Sequence, residues 1–242
     1  MMGIDAFVRW LADHDVVDLS HPLEEGMPAL PDSSRYFHML WDSYWHGDAG
    51  VDYQIILNEH TGTHVDAPAH MMRDGHPSHL WINQMPATSL SGRAAVIDAT
   101  DTPPTSDFGL AVLDRFQRES GPIRRGDIAL FRTGWSKKWK LRPDSRAYMD
   151  GYPGADGPLA QALVELGVKA VGLDTPSIER FDEELKFPVH ELLLANRVMV
   201  MENLTNLERL PPFCTVIAIP LAIKGGSGSP IRPLAFVPRD QS

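Results

Sequence analysis

Short apolar runs recur along the chain and are separated by stretches rich in Gly, Pro and Asp. Runs of four to six residues bounded by turn residues are typical of buried strands. The pattern therefore predicts eight strands, at residues 16–19, 53–57, 94–98, 127–132, 169–174, 198–202, 215–219 and 234–237.

Three segments between these runs carry helix signals. Residues 108–119 place large apolar side chains at helical spacing. Residues 158–166 and 188–196 each begin with a proline in the first turn, and they end at a glycine and an asparagine. Because strands alternate with helices in the C-terminal half, we predict an α/β fold. Residues 133–157 mix Gly, Pro, Trp and Tyr and predict a surface excursion of the kind that forms a lid.

Composition sets broad limits. The 242 residues suffice for a sizeable core, and we predict a single domain over residues 1–242. A net charge of −10 and the lack of a long basic run argue against nucleic-acid binding. No apolar stretch reaches the roughly 18 residues that span a bilayer, and charges interrupt the N-terminus where a signal peptide would be apolar. We expect a cytoplasmic protein that binds neither nucleic acid nor membrane. The single cysteine, Cys214, has apolar neighbours that predict a buried thiol rather than a nucleophile.

The histidines are unevenly distributed. Nine of the ten lie in the first third of the chain, and three fall in the segment HTGTHVDAPAH at residues 60–70. In an extended chain the side chains of His60, His64, Asp66 and His70 would share one face, because all occupy even-numbered positions. The glycine, proline and β-branched residues of the segment oppose a helix. Four possible ligands within eleven residues predict a metal site, whereas one histidine alone would be read as exposed or as part of the core.

Extended geometry alone does not build the site. A straight strand would hold His60 and His64 ~13 Å apart, which is too far for one cation. Gly62 offers the bend that would bring them together. His64 and Asp66 are close enough to share a cation directly. Imidazole combined with carboxylate suits Zn²⁺, Mn²⁺ or Fe²⁺ rather than Ca²⁺.

Three other chemistries fit the sequence less well. The stretch GGSGS at residues 225–229 resembles a serine nucleophile elbow, but Ser229 stands where the closing glycine should be. Lys224 precedes its glycines, whereas a phosphate loop has the lysine after them. A dinucleotide fold would need Gly-x-Gly-x-x-Gly after an early strand, and the sequence has none.

The segment at residues 60–70 resembles the signature of the metal-dependent cyclase-like hydrolases, a family that includes bacterial kynurenine formamidase and isatin hydrolase. Further stretches resemble the family's motifs in the same order: DLSHPLEEGMP at 18–28, FRTG at 131–134, GLDTPS at 172–177, FPVHELL at 187–193, ENLTNL at 202–207 and KGGSGSPIR at 224–232. The resemblance implies a compact α/β domain with a barrel-like mixed β-sheet flanked by helices, often in a homodimer or homotetramer.

The resemblance also implies roles for residues. In the formamidase branch His60 and His64 would bind one metal, and Asp66 would bridge to a second. In the isatin hydrolase branch one Mn²⁺ held by these three positions is the expected arrangement. Zinc and manganese, with one or two ions per chain, therefore both stay open.

Residues far from this segment would complete a second metal site. By resemblance His190 would bind the second metal, Glu202 would bridge, and His70 would be the general acid/base. His190 lies at the start of a predicted helix and Glu202 at the end of a predicted strand. Taken alone, His190 would be interpreted as a helix cap or an exposed side chain, and Glu202 as a surface carboxylate at a strand end.

One position departs from the formamidase pattern, which has a tryptophan lining the substrate pocket where this chain has Leu30. Trp41, Trp45 or Trp81 could replace it in space, or could simply pack in the core. The departure puts N-formylkynurenine in question more than it does hydrolysis.

We therefore expect a metal-dependent amidohydrolase that uses metal-activated water to cleave the C–N bond of a small aromatic substrate. The substrate would be a formyl-anilide such as N-formylkynurenine or a cyclic amide such as isatin. The alternatives are a lactone or ester hydrolase or a cyclase on the same metal centre, and a non-catalytic protein that binds metal or a small molecule. His70 favours catalysis, because binding alone needs no acid/base.

Overall fold

The strands and helices come from a computed structural model that describes residues 3–29, 35–180 and 186–239. In chain order the strands are β1 (His14–Asp18), β2 (Phe37–Asp42), β3 (Asp52–Ile56), β4 (His64–Asp66), β5 (Ser91–Asp98), β6 (Asp107–Phe108), β7 (Ile128–Arg132), β8 (Gly154–Ala155), β9 (Ala170–Leu173), β10 (Met199–Glu202), β11 (Phe213–Ile217), β12 (Gly228–Pro230) and β13 (Leu234–Pro238). The α-helices are α1 (Ile4–Ala12), α2 (Leu110–Ser120), α3 (Arg146–Met149), α4 (Gly157–Leu166) and α5 (Pro188–Ala195).

Nine strands form one mixed sheet in the order β1-β13-β11-β5-β7-β9-β10-β4-β12. The central strands β5, β7, β9 and β10 are parallel. The strands on both sides of them pair antiparallel. The sheet curls into a half barrel, which confirms the predicted α/β fold with a barrel-like mixed sheet.

Helices connect the parallel strands and cover one face of the sheet. Parallel neighbours require such crossovers, and α2, α4 and α5 supply them. Phe116 of α2 and Leu163 of α4 are buried in the same cluster as Phe131 of β7 and Val200 of β10. Alternate residues of the strands point into the half barrel, where Met201 joins a second cluster. Two buried faces explain why the central strands are almost continuously apolar.

The first-turn proline and the final glycine predicted for α4 are both present, and Asp156 adds a cap that was not predicted. Asp156 accepts a hydrogen bond from the Leu159 N–H at 2.8 Å, ahead of the proline in the first turn of α4. Gly167 ends this helix with φ of +73°, a conformation that glycine adopts without strain. The N-terminal helix α1 was not predicted. Its contact with the sheet is through Trp10, whose ring lies 5.3 Å from that of Phe236.

All eight predicted strands are present, with ends displaced by up to three residues. The strand predicted at residues 53–57 is β3, but it lies outside the main sheet and pairs with β2 in a separate hairpin. Cys214 is buried as predicted, and burial raises the pKa of its thiol to about 12. No helix in the described part of the chain has the length and apolarity that a membrane span needs.

The segment at residues 133–157 is more ordered than a surface excursion. Trp135, Tyr148 and Tyr152 form a buried aromatic cluster within it. The Trp135 indole donates a hydrogen bond to the Tyr148 carbonyl at 2.7 Å. The segment therefore has a small core of its own, separate from the two main clusters.

His21 shows how closely this segment packs on the loop after β1. Its ring stacks on Trp139 with centroids 3.9 Å apart and planes 5° from parallel. The His21 backbone N–H donates a hydrogen bond to Thr63 Oγ1 at 3.0 Å. Burial lowers the pKa of the imidazole from 6.5 to about 4, since the charged form would lose its hydration.

We expect the free energy of unfolding to fall as the pH drops from 6.5 towards 4, because the unfolded chain then protonates His21 while the folded chain does not. The shift corresponds to roughly 2–3 kcal/mol. His21→Phe keeps the stacked ring but cannot be protonated, so this part of the pH dependence should vanish in that variant. Urea unfolding of metal-free protein at several pH values measures it. His76→Phe, at an exposed position, is the control; equal pH dependence in wild type and His21→Phe would contradict the prediction.

Candidate metal centre

Strand alternation and register bring two carboxylates to one place. In β4, Val65 points into the half barrel, so His64 and Asp66 point to the helix-covered face. Strand β10 pairs with β4 so that Glu202 lies opposite His64 and Val200 lies opposite Asp66. Glu202 therefore shares the face of His64 and Asp66. Asp66 is 1% exposed and Glu202 is 5% exposed.

The predicted bend at Gly62 is confirmed. Gly62 has φ of +62°, and the rings of His60 and His64 have centroids 5.2 Å apart. A second glycine makes room for His60 on the other side of β4. Gly228 pairs with Asp66, and a Cβ on Gly228 would lie 2.7 Å from Cε1 of His60. Both glycines are therefore required by the position of the His60 ring.

His70 reaches the cluster through a turn. Strand β4 ends at Asp66, and the chain continues into a 3₁₀ turn at Pro68–His70. The His70 ring then lies 4.2 Å from the His60 ring, centroid to centroid. The four side chains of the segment converge as predicted, but they do not share one strand face, because only residues 64–66 are extended.

His190 enters from the helix layer. It lies in the first turn of α5, as predicted, and is 5% exposed. Its Nε2 lies 3.4 Å from Asp66 Oδ2 and 3.1 Å from Glu202 Oε1. The structure thus brings His190 and Glu202 to the segment at residues 60–70, from which they are more than 100 positions away in sequence.

In each carboxylate, the two oxygens face different histidines. Asp66 Oδ1 lies 2.6 Å from His60 Nδ1 and 3.5 Å from His64 Nε2, while Oδ2 faces His190. Glu202 Oε2 lies 3.5 Å from His64 Nε2, while Oε1 faces His190. Two sets of three ligand atoms result, and in each set the atoms lie within 4.8 Å of one another: His60, His64 and Asp66, and Asp66, His190 and Glu202.

The charges of the cluster fit a divalent cation. Burial opposes the charged form of each group, but hydrogen bonds with His190 and His60 hold the pKa of Asp66 well below its usual range. Asp66 and Glu202 overcome the effect of burial and raise the pKa of His60, and together with Glu179 they raise the pKa of His190 much more. Protons on imidazoles thus compensate buried carboxylates, and a divalent cation would supply the same compensation. Imidazole and carboxylate donors in this ratio suit Zn²⁺ or Mn²⁺.

Hydrogen bonds fix which nitrogen of two rings faces the carboxylates. His64 Nδ1–H donates to the Gly62 carbonyl at 2.8 Å, which leaves Nε2 towards Asp66 and Glu202. His60 Nε2–H donates to Ser227 Oγ at 3.0 Å, which leaves Nδ1 towards Asp66. Metal-binding histidines commonly have their second nitrogen held in this way.

Glu179 performs this task for His190, and the sequence analysis missed it. Its Oε1 accepts from His190 Nδ1–H at 2.7 Å. Both of its oxygens also accept backbone N–H groups at the start of α5, from Val189 at 2.8 Å and His190 at 3.1 Å. Glu179 is 6% exposed, so these three bonds account for a buried charge. No spacing rule connects Glu179 with His190, because the contact depends on how the loop folds over the helix end.

Asn203, next to Glu202, was also missed. It has φ of +57°, and its Nδ2–H donates to the Gly62 carbonyl at 2.9 Å. Its Oδ1 accepts from the Tyr148 hydroxyl at 2.9 Å. Asn203 therefore ties the Gly62 bend to the segment at residues 133–157. The positive φ favours Asn over most residues. An asparagine directly after a predicted strand is therefore the one local signal that sequence reasoning could have used.

His70 differs from the other three histidines. Within the described ranges its ring makes contacts with the His60 and His190 rings but no hydrogen bond. His70 is exposed to the cavity, but the surrounding protein removes part of the water around its ring. This desolvation lowers the pKa of His70. The charge of Asp66 opposes the shift, and His60 and His190 add to it. The neutral imidazole is thus free to accept or donate a proton.

A cavity of about 620 Å³ opens above the cluster, a size usual for a small-molecule site. Its walls are largely apolar and include Met27, Tyr36, Met71, Met149 and Phe187. Leu30, which stands at the sequence position of the family's tryptophan, lies outside the described residues. Trp41 and Trp45 are 72% and 66% exposed, and neither they nor Trp81 is among the described residues that line the cavity.

Comparison with known proteins agrees with the resemblance seen in the sequence. A model of the putative cyclase family matches residues 17–180. Isatin hydrolase of Roseibium aggregatum is 31% identical over 200 residues, which cover 76% of this chain and 74% of the relative. Kynurenine formamidase of Bacillus anthracis is 26% identical over 217 residues, which cover 89% of this chain and 94% of the relative. In three dimensions the chain is similar to isatin hydrolase A from Labrenzia aggregata bound to benzyl benzoate, with a TM-score of 0.86 and 29% identity over 98% of this chain and 99% of that one.

We predict that Glu179→Gln weakens divalent-cation binding roughly 10–100-fold, since it removes the charge that orients His190. Titration of the metal-free protein with Zn²⁺ by calorimetry measures the affinity. Glu191→Gln, an exposed position on the same helix, should bind the cation like wild type. Wild-type affinity in Glu179→Gln, or the same loss in Glu191→Gln, would show that Glu179 does not position His190.

Proposed function

The chain belongs to the putative cyclase family, and we propose that it is a metal-dependent amidohydrolase acting on a small aromatic substrate. One observation carries the proposal. At the floor of an apolar cavity, the buried carboxylates of Asp66 and Glu202 each lie between the imidazoles of His64 and His190. His70, beside them, has no hydrogen bond to a described residue. A site for binding alone would need only the oriented ligands.

The cavity and the relatives support the substrate class. A volume of about 620 Å³ with aromatic, proline and methionine walls fits a one- or two-ring aromatic molecule. Formyl-anilides and cyclic amides such as isatin are the two substrate types that the relatives' names suggest. In both, the amide C–N bond joins a carbonyl carbon to a nitrogen that is attached to an aromatic ring. An ester or lactone hydrolase on the same centre is the alternative that requires the least change.

The proposed ligands divide into two sets. His60, His64 and Asp66 would hold one cation, and His190 and Glu202 would complete a second site that shares Asp66. When bound, the cation polarises the substrate carbonyl and acidifies water. Zn²⁺ or Mn²⁺, as one or two ions per chain, fits these donors.

The chain's own residues handle the proton. His70, as the neutral base, takes a proton from water while the water oxygen bonds to the carbonyl carbon. The C–N bond then breaks, and His70 returns the proton to the departing nitrogen. A carboxylic acid and an aryl amine result, joined in one molecule when the substrate is cyclic. The apolar walls exclude bulk water, which strengthens the polar interactions at the floor.

A substrate panel tests the function. Metal-free protein is reconstituted with Zn²⁺ or Mn²⁺ and offered formanilides, isatin, an aromatic lactone and an aryl ester, with a chelator-treated control. Metal-dependent cleavage of an amide supports the proposal; cleavage of the lactone or ester alone supports the alternative. Ligand binding without any turnover would indicate a binding protein. Elemental analysis of untreated protein then distinguishes two zinc per chain, as in the formamidase-like arrangement, from one manganese.

We expect His70→Ala to lower kcat roughly 10²–10⁴-fold, because no other side chain would relay the proton. Metal content should not change, since His70 belongs to neither set of ligand atoms. His76→Ala, an exposed histidine outside the cavity, is the control and should keep wild-type kcat. Full kcat in His70→Ala with its metal retained would remove His70 from the mechanism.

We also propose that two copies associate through the hairpin of β2 and β3, residues 37–56, here called the arm. Ten large apolar side chains in it are 37–72% exposed: Phe37, Met39, Leu40, Trp41, Tyr44, Trp45, Val51, Tyr53, Ile55 and Ile56. Their exposed area is on the order of 900 Å², and a specific interface buries roughly 800 Å² per partner. A two-stranded hairpin alone is marginally stable in water, so the arm needs a partner. A second copy of the chain supplies an equally apolar arm, and the resulting assembly would be a homodimer or a homotetramer.

Ile55→Glu should shift the protein towards monomer, because it places a charge in the apolar face of the arm. Ile219→Glu, which changes an isoleucine that lies outside the arm and is at least as exposed as Ile55, should assemble like wild type. Sedimentation velocity across micromolar concentrations gives the mass of each variant. A monomeric wild type, or unchanged assembly of Ile55→Glu, would contradict the proposal.

A further inference from the structure

The wall of the cavity carries positive charge although the protein is acidic overall. The chain has 32 acidic and 22 basic residues, yet among the described residues the charged side chains that line the cavity above its histidine–carboxylate floor are two arginines, Arg35 and Arg142. The cavity's two carboxylates, Asp66 and Glu202, belong to the floor and are compensated there by imidazoles.

Arg142 is held at the cavity by its backbone. Its N–H donates to the Gly26 carbonyl at 2.8 Å, which joins the segment at residues 133–157 to the loop that carries Met27. Gly26 has φ of +90°, and a Cβ built on it would lie 3.9 Å from Nε of Arg142. The Arg142 side chain therefore runs along Gly26, within van der Waals distance of that position. Ser145 and Met149, from the same segment, continue this wall.

The Arg142 side chain makes no ion pair within the described ranges, whereas nearby arginines do. Arg146, four residues later, pairs with Asp150 at 3.0 Å, and Arg132 pairs with Asp98 at 2.6 Å. Arg142 thus lies at an apolar cavity with its five N–H donors available. A planar guanidinium is suited to bind a carboxylate through two parallel hydrogen bonds.

We propose that Arg142 forms a subsite for an anionic group of the substrate. The inference rests on the proposed function and narrows it: the preferred substrate is an aromatic amide that carries a carboxylate at the end remote from the scissile bond. The carbonyl lies at the floor, the ring lies between the apolar walls, and the carboxylate pairs with Arg142. Specificity for the anion then comes from a residue that has no part in bond cleavage.

The test compares matched substrates. Formanilides with a carboxylate on a short side chain are paired with the corresponding primary amides, which have the same shape and no charge. Because Arg142 is exposed, which weakens its ion pairs, we expect wild type to favour the carboxylate by only about tenfold in kcat/KM, with the difference in KM rather than in kcat. The ratio should approach one in Arg142→Gln, remain partly in Arg142→Lys, and decrease in wild type as salt is added. Arg146→Gln, whose arginine does not line the cavity, should keep the wild-type ratio.

An unchanged ratio in Arg142→Gln would overturn the subsite, and so would a wild type with no preference. If no amide is cleaved, the proposed function fails, but the subsite is still tested by equilibrium binding of the same pairs to the zinc-loaded protein. A preference for the carboxylate that is lost in Arg142→Gln assigns the anion to Arg142. A preference that Arg142→Gln retains places the anion elsewhere, at the metal for instance, and overturns the inference.

Discussion

Two carboxylates buried in one place are the constraint on which the rest of the site depends. Asp66 and Glu202 come together because β4 and β10 pair in a register that puts them on one face. A buried carboxylate without compensation costs several kcal/mol. Three imidazoles approach them, and the altered pKa values of Asp66, His60 and His190 express how tightly the charges are coupled. A divalent cation fits the same place for the same electrostatic reason.

The surrounding backbone is shaped by the need to hold those imidazoles. Gly62 turns the chain with a positive φ so that His60 and His64 meet, and its carbonyl accepts hydrogen bonds from both His64 and Asn203. Glu179 satisfies the first N–H groups of α5 and orients His190 with one carboxylate. Each device serves the fold and the site together, since an unsatisfied donor here would be as costly as a misplaced ligand.

The part of the molecule above the floor is built differently. The segment at residues 133–157 has its own aromatic core, and the Tyr148 hydroxyl ties it to Asn203 beside the cluster. It brings Arg142, Ser145 and Met149 to the cavity. Because the floor belongs to the main sheet and this wall to a separate small core, the residues of the wall can vary without disturbing the ligands at the floor.

The sequence by itself determined the elements whose signals are local. Apolar runs located the central strands, and a first-turn proline with a final glycine or asparagine located α4 and α5. The segment at residues 60–70 predicted the metal-binding cluster, because four possible ligands and a glycine that allows a bend fall within eleven positions. Resemblance to the family added His190 and Glu202, which no spacing rule would connect with that segment.

Only the tertiary structure decided which distant groups meet. Glu179, Asn203 and Arg142 carry no local signal strong enough to select them, because their roles come from the packing of a loop on a helix end and of the segment at residues 133–157 on the cavity. Of the arm, only β3 was predicted, and its place in a separate hairpin was not, since alternation cannot tell whether a strand joins the main sheet. Local propensity extends over a few residues, whereas the register of β4 against β10 and the charge balance of the site depend on contacts between residues more than 100 positions apart.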